Sequence, residues 1–112
     1  MIAAAGFAVL AAAGTLARTF AGRRWNRDEL PLGTLSVNWL GSLGLGLLAS
    51  ADPLVATLVG TAALGALTTF SSFVRDTIAL AEQGRPGRAV GYVVLSCSGA
   101  VAGAWLGLAM VA

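Results

Sequence analysis

The uncharged run from Leu54 to Val74 is the feature that most restricts how this chain can fold. The run is long enough to cross the hydrocarbon core of a bilayer, which takes about 20 helical residues, yet its centre, 65–73, reads Gly-Ala-Leu-Thr-Thr-Phe-Ser-Ser-Phe. Glycine and hydroxyl side chains weaken a regular helical hydrogen-bond ladder. Irregular backbone survives in lipid only where protein buries it or where it faces an ion or water. We therefore expect a helix break near 65–69 and an ion site beside it.

Composition places the chain among membrane proteins. Of its 112 residues, 57% are hydrophobic and 11% are charged, which is too apolar for an ordinary soluble domain of this size. The sequence predicts one domain, 1–112, of the all-α membrane class with four transmembrane helices. A signal peptide is the rival interpretation of the first run, but no basic segment precedes it, and we favour a retained span. The predicted spans are roughly 2–22, 30–51, 54–82 with the break near 65–69, and 88–111.

The charges lie on one side of this predicted topology. Every positive charge is an arginine, and the arginines border the first and third connections. The positive-inside rule then places both connections in the cytoplasm and both termini outside the cell membrane. The sequence has no histidine and one cysteine, Cys97, so a disulfide, zinc or histidine catalysis within one chain is not expected, nor is an enzyme. The arginines lie beside the apolar spans rather than along one polar face, which argues against nucleic acid as a binding partner.

Polar side chains inside the second and third spans are candidates for an ion route. Asn38 lies near the middle of the second span, where an amide needs a partner; an interhelical hydrogen bond and a pore-lining role are both open. Phe70 and Phe73 share one helix face, and although such rings usually only pack, their positive edges can solvate an anion weakly. Thr69 adds a hydroxyl beside them, together with Ser71 and Ser72.

The last span carries hydroxyls on an otherwise apolar segment. Tyr92 and Ser96 lie one turn apart, so a polar track is plausible, although a tyrosine near a span end is more often an interfacial anchor. The acidic residues lie at span edges or in connections, so no carboxylate is expected to carry a proton or a cationic substrate. Span interiors that are rich in hydrogen-bond donors and poor in acidic side chains favour an anion as the transported ion.

Three segments together resemble the Fluc (CrcB) fluoride channels. They are Gly14 with Arg18, the segment 33–42 (Gly-Thr-Leu-Ser-Val-Asn-Trp-Leu-Gly-Ser), and 65–73 (Gly-Ala-Leu-Thr-Thr-Phe-Ser-Ser-Phe). The resemblance reaches all predicted spans, and the second and third segments, in this order, are its specific part.

The resemblance implies an antiparallel dimer with two fluoride pores and a central sodium ion held by main-chain carbonyls. By position, Gly65 and Thr68 would supply the sodium ligands, and Arg18 would stand near the aqueous vestibule. Asn38, Phe70 and Phe73 would line the pore, and Tyr92 with Ser96 would begin a hydroxyl track. Permeation would be passive efflux that reduces fluoride toxicity.

Two alternatives stay open beside the fluoride channel. The one-sided arginines predict that this chain inserts in one direction, whereas an antiparallel dimer needs a neighbour inserted in the other. We therefore expect an oppositely oriented paralogue as partner, and this chain could be the non-conducting or half-functional subunit. A small multidrug-type exporter is less favoured because it requires an acidic residue within a span.

Overall fold

The computed structural model describes residues 1–112 and is helical throughout, with no β-strand. This confirms the all-α class. Helix α3 is a continuous helical run over 53–67 made of Pro53–Val55, a wider π-helical stretch Ala56–Leu64, and Gly65–Leu67. The other helices are α1 (Ile2–Trp25), α2 (Leu32–Leu47), α4 (Phe70–Glu82) and α5 (Pro86–Val111).

Three helical stretches are long and apolar enough to cross a membrane. They are Ile2–Trp25, Pro53–Glu82 (α3 with α4) and Pro86–Val111. Helix α2 has 16 residues, which is about 24 Å at 1.5 Å per residue and shorter than the roughly 30 Å hydrocarbon core. The chain is a multi-pass membrane protein.

Asn26 joins the first two helices. Helix α1 ends because Asn26 adopts an extended backbone, with φ −69° and ψ 132°. Its side chain then reaches the first turn of α2: Oδ1 accepts from the Thr34 N–H at 2.9 Å, and Nδ2 donates to Thr34 Oγ1 at 3.1 Å. One amide thus satisfies a backbone donor that a helix start leaves unpaired, and it fixes α2 against the end of α1.

Glycines let α2 and α5 approach closely. A Cβ on Gly99 would overlap the Trp39 indole, and one on Gly107 would overlap the carbonyl of Leu43. Trp39 lies in the space that Gly99 leaves, and its Nε1 donates to the Leu95 carbonyl at 3.1 Å. The pair α2 and α5 has the most extensive contact in the molecule. Small residues at four-residue spacing therefore form a packing face, as is common between helices in lipid.

A glycine also lets α1 approach α3 closely. A Cβ on Gly14 would overlap the Ala63 carbonyl and would lie 3.1 Å from the Leu67 nitrogen. Gly33 at the start of α2 approaches the Ala21 carbonyl in the same way. The Gly14 contact holds α3 against α1 and so positions the end of α3 at Leu67. The Gly33 contact holds the start of α2 against the end of α1.

The most buried apolar cluster lies where α2, α4 and α5 meet. Leu35, Leu80, Ala89 and Tyr92 form it, and Phe73 packs against it. Most other large apolar side chains, including Leu16, Val101 and Trp105, are exposed. An apolar exterior over a small core is expected of a protein whose surroundings are lipid rather than water.

Candidate functional site

The site is built around two residues with extended backbone between α3 and α4. Thr68 has φ −76° and ψ 154°, and Thr69 has φ −148° and ψ 120°. Helical geometry ends at Leu67 and resumes at Phe70. Two extended residues displace the chain, so the backbone groups beside them lose their helical partners and need others.

Asn38 supplies partners for both backbone groups of Thr69. Its Oδ1 accepts from the Thr69 N–H at 2.7 Å, and its Nδ2 donates to the Thr69 carbonyl at 3.1 Å. In an unbroken helix that N–H would bond to the Gly65 carbonyl instead. The amide of Asn38 therefore holds the extended segment to α2, and one of its two N–H hydrogens remains for another acceptor.

Thr68 turns its polar groups back toward α3. Its N–H and its Oγ1 both donate to the Leu64 carbonyl, at 3.0 and 3.1 Å. Its methyl group occupies the space that Gly41 leaves open, because a Cβ at Gly41 would overlap it. The Thr68 carbonyl accepts no hydrogen bond from the chain, and the Gly65 carbonyl is not bonded by its usual i+4 partner. These two main-chain oxygens near the break therefore lack their usual helical donors.

The Thr69 side chain starts α4. Its Oγ1 accepts from the Ser72 N–H at 3.1 Å and lies 3.4 Å from the Ser71 hydroxyl. This is an ordinary N-cap, and it satisfies one of the donors that a helix start leaves unpaired. Thr69 is buried, at 7% exposure.

Phe70 and Phe73 follow on the first turn of α4. Their ring centroids are 6.0 Å apart, and that of Phe73 is 5.4 Å from that of Tyr92. Phe73 is half-buried against the core, whereas Phe70 is 77% exposed. The three rings form a row that runs from the interior of the subunit to its surface.

Two buried hydroxyls stand behind the phenylalanines. Tyr92 is 1% exposed and Ser96 is 6% exposed, and neither Tyr92 Oη nor Ser96 Oγ has a hydrogen-bond partner. A buried hydroxyl without a partner is unfavourable by about 1–3 kcal/mol. Both are on α5, one turn apart, and the Tyr92 hydroxyl also lies close to Thr34 of α2.

One open groove of about 330 Å³ collects most of the predicted site residues. They are Asn38, Thr68, Thr69, Phe70, Phe73 and Ser96. Ser42, Leu45, Cys97 and Ala100 complete the wall. No acidic or basic side chain lines the groove, so it offers donors and ring edges without fixed charge. Tyr92 lies behind Phe73, and Arg18 and Gly65 lie outside the lining.

Arg18 belongs to a different cavity, nearer the arginine-bearing connections. This cavity, of about 440 Å³, has no hydrophobic residue in its wall, and Arg18, Arg23 and Arg75 line it. Thr34 and Ser72 also belong to its wall. Arg75 contacts Asp76 at 3.3 Å, and its side chain is 69% exposed, so this ion pair is weak. We call this space the arginine cavity.

Sequence reasoning missed three residues that shape these spaces. Asn26 carries no prediction from the sequence, and although asparagine is a common helix-capping residue, no pattern in the sequence indicates its bonds to Thr34. Ser42 is one of the small residues of the second span that predict close helix packing, but it also lies one helical turn after Asn38 and therefore on the same face. Asp76 lies within α4, inside the candidate span Pro53–Glu82, with Oδ2 buried and unpartnered, so the prediction that the acidic residues lie at span edges or in connections is wrong for Asp76.

Comparison with known proteins identifies a matching family. Residues 5–108 match the family model described as CrcB-like protein, Camphor Resistance (CrcB). The chain is 43% identical over 104 residues to "Fluoride-specific ion channel FluC 2" of Moorella thermoacetica, covering 85% of this chain and 84% of that protein. It is 40% identical over 111 residues to "Fluoride-specific ion channel FluC" of Pseudomonas putida, covering 88% and 87%.

A third relative is matched over a shorter stretch. Identity to "Fluoride-specific ion channel FluC 1" of Nocardia farcinica is 50% over 76 residues, which is 66% of this chain and 54% of that protein. The family match, in contrast, extends from the first turns of α1 almost to the end of α5. With the broken helix segment, its asparagine partner and the paired phenylalanines on the same stretch of chain, this protein belongs to the CrcB family.

Proposed function

We propose that this chain is a subunit of a fluoride channel that lets fluoride leave the cytoplasm passively. The observation that carries the proposal is the uncharged groove beside the helix break, where an amide, hydroxyls and two phenyl rings meet. The names of the relatives, which are fluoride-specific ion channels, support the same ion. The activity is transport down a gradient and is not enzymatic.

The groove suits a small, strongly hydrated anion. Fluoride gives up water only where several donors replace it, and a selective pore supplies them at close range. The remaining N–H of Asn38 and the hydroxyls of Ser42 and Ser96 are such donors, and the edges of Phe70 and Phe73 carry the positive end of the ring quadrupole. A cation finds no carboxylate in this groove, which disfavours the exporter alternative.

A sodium ion at the break is part of the proposal. Na⁺ prefers oxygen ligands, and the carbonyls of Gly65 and Thr68 are the main-chain oxygens that the break leaves without their helical donors. The residues present therefore fit the ion, with the remaining ligands coming from an equivalent segment of a partner. When bound, the ion would add fixed positive charge near the anion route.

The proposed topology has four crossings. Helix α2, extended by the turn that follows it, makes the second crossing, and α3 with α4 makes the third, interrupted at Thr68 and Thr69. The arginine cavity then faces the cytoplasm, and both termini face outward, because arginines accumulate on the cytoplasmic side. The location is the cell membrane.

The proposed assembly is an antiparallel dimer, with an oppositely oriented paralogue as the partner and a second copy of this chain as the alternative. Phe70 supports a second subunit, because a phenyl ring that is 77% exposed next to a polar groove has no cover within one chain. The groove, which is open on that side, would become a closed pore only against a partner.

Substitution of the paired phenylalanines tests the proposal. Phe70→Ile and Phe73→Ile keep the side chains apolar but remove the ring edges, and each should reduce fluoride efflux from liposomes at least tenfold while the assembly stays intact on size-exclusion chromatography. Phe7→Ile, on α1 and away from the groove, is the matched control and should leave efflux unchanged. Normal efflux through both groove variants would refute the pore assignment.

A further inference from the structure

The arginine cavity concentrates positive charge in one space. Three guanidinium groups line one space whose wall contains no acid and no hydrophobic residue. Arg18 and Arg23 form no salt bridge, and Arg75 contacts only Asp76, at 3.3 Å, through a side chain that is 69% exposed. Two of the three arginines therefore have no acidic partner in the chain, and the third is paired weakly.

The shape and donor chemistry of the cavity fit an oxyanion. Guanidinium is planar, always charged, and binds phosphate through paired N–H donors, which gives charge-assisted hydrogen bonds about twice as strong as neutral ones. A space of about 440 Å³ is far larger than a single fluoride needs and admits a tetrahedral anion with several oxygens. The Ser72 hydroxyl, also in the wall, adds a further donor.

We propose that the arginine cavity is a binding site for a phosphate-class oxyanion, supplied either by free phosphate or by the headgroup of an anionic lipid. The binding does not depend on the proposed channel function, but its consequence does. Thr34 and Ser72 belong to the cavity wall, and Ser72 bonds directly to the groove residue Thr69. A bound oxyanion therefore occupies the cytoplasmic approach to the groove and slows fluoride access to it.

Phosphate binding to the purified protein tests the site directly. The full chain, in nanodiscs of neutral phosphatidylcholine, is equilibrated with radiolabelled inorganic phosphate. We expect saturable binding that Arg23→Gln weakens about tenfold, since it removes a charge-assisted pair. Arg24→Gln is the matched control: the adjacent arginine has the same charge and exposure class but lies outside the cavity wall, so affinity should stay within twofold.

Two further measurements make the result decisive. Arg75→Gln should reproduce the loss of affinity on another helix, so a folding defect of one variant does not decide the matter. Phosphatidic acid in the nanodisc should compete with labelled phosphate if lipid headgroups use the site, and no competition would assign it to free phosphate. Absence of saturable binding, or equal losses for the variants at 23 and 24, would overturn the proposal.

Fluoride efflux separates this inference from the proposed function. Internal phosphate should slow fluoride efflux through the original chain and should slow it less through Arg23→Gln. If phosphate binds but no fluoride passes, the oxyanion site stands and the channel proposal fails. If fluoride passes at the same rate with and without phosphate and no phosphate binds, the cavity only attracts fluoride and the oxyanion site is refuted.

Discussion

At the scale of single residues, the site depends on the hydrogen bonds that the Asn38 amide makes. The side chain bonds to both the N–H and the carbonyl of Thr69, at 2.7 and 3.1 Å. It is therefore a structural clamp on the helix break and, with its remaining N–H, a wall of the groove. The two interpretations left open by the sequence, an interhelical hydrogen bond and a pore-lining role, are compatible in one side chain.

Asn38→Asp should impair both stability and transport. The carboxylate can still accept from the Thr69 N–H, but it places an oxygen against the Thr69 carbonyl and a negative charge beside the anion route. We expect a loss of about 1–3 kcal/mol in the free energy of unfolding and at least tenfold slower fluoride efflux. Ser36→Ala, on the exposed face of the same helix, serves as control for both measurements. Unchanged efflux through Asn38→Asp would remove Asn38 from the ion route.

Ser42→Ala tests a groove residue that sequence reasoning assigned to packing. The Ser98 hydroxyl donates to the Val94 carbonyl of its own helix at 2.6 Å, whereas the Ser42 hydroxyl is in the groove wall and free to face an ion. We expect Ser42→Ala to slow fluoride efflux severalfold and Ser98→Ala to have little effect. Equal rates for the two variants would show that Ser42 only packs.

At the scale of helices, glycine decides how close the elements come. Gly99 gives the Trp39 indole its space, and Gly41 does the same for the Thr68 methyl group. These contacts place α2 against both α5 and the break. The position of Asn38 relative to Thr69 thus depends on small residues that do not touch the groove's ion route themselves.

Gly99→Ala and Gly91→Ala form a matched pair on α5. A Cβ at Gly99 would overlap the indole of Trp39, whereas one at Gly91 would meet nothing within 4 Å. Overpacking typically costs about 1–3 kcal/mol, so Gly99→Ala should lower the midpoint of thermal unfolding in detergent. Gly91→Ala should leave it equal or slightly higher, because alanine favours a helix. Equal destabilisation by both substitutions would contradict the packing of α2 on α5.

Much of the helical pattern is readable from the sequence, and the contacts are not. The uncharged runs predict the all-α class, which is confirmed, and the glycines at 99, 103 and 107 predict a packing face, which lies against α2. The burial of Asp76 and the cross-helix bonds of Asn26 depend on neighbours that are distant in the chain or on another helix. Periodicity along a single helix carries no information about those neighbours.

At the scale of the whole molecule, the chain by itself leaves its groove open and the Phe70 ring exposed. The arginines, in contrast, are concentrated at one end, where three of them share a cavity. The first property supports the proposed partner, and the second supports the proposed single direction of insertion.

Co-expression tests the partner that these two properties require. Produced alone, the chain should place its termini on one side of the membrane and yield little conducting assembly. Produced with an oppositely biased paralogue, the two should co-purify and conduct. Accessibility of a terminal tag from each side of intact cells measures the orientation. Tags accessible from both sides, together with a conducting assembly of this chain alone, would show a homodimer instead.

The most direct measurement of the central claim is fluoride efflux from liposomes, followed with a fluoride electrode. Liposomes that contain the purified assembly, either this chain alone or this chain with its paralogue, are loaded with potassium fluoride or potassium chloride. Valinomycin is then added so that potassium carries the counter-charge. Passive movement of the anion through the groove predicts rapid valinomycin-dependent fluoride release and no matching chloride release. Fluoride retention in both assemblies, or equal release of the two halides, would contradict the account.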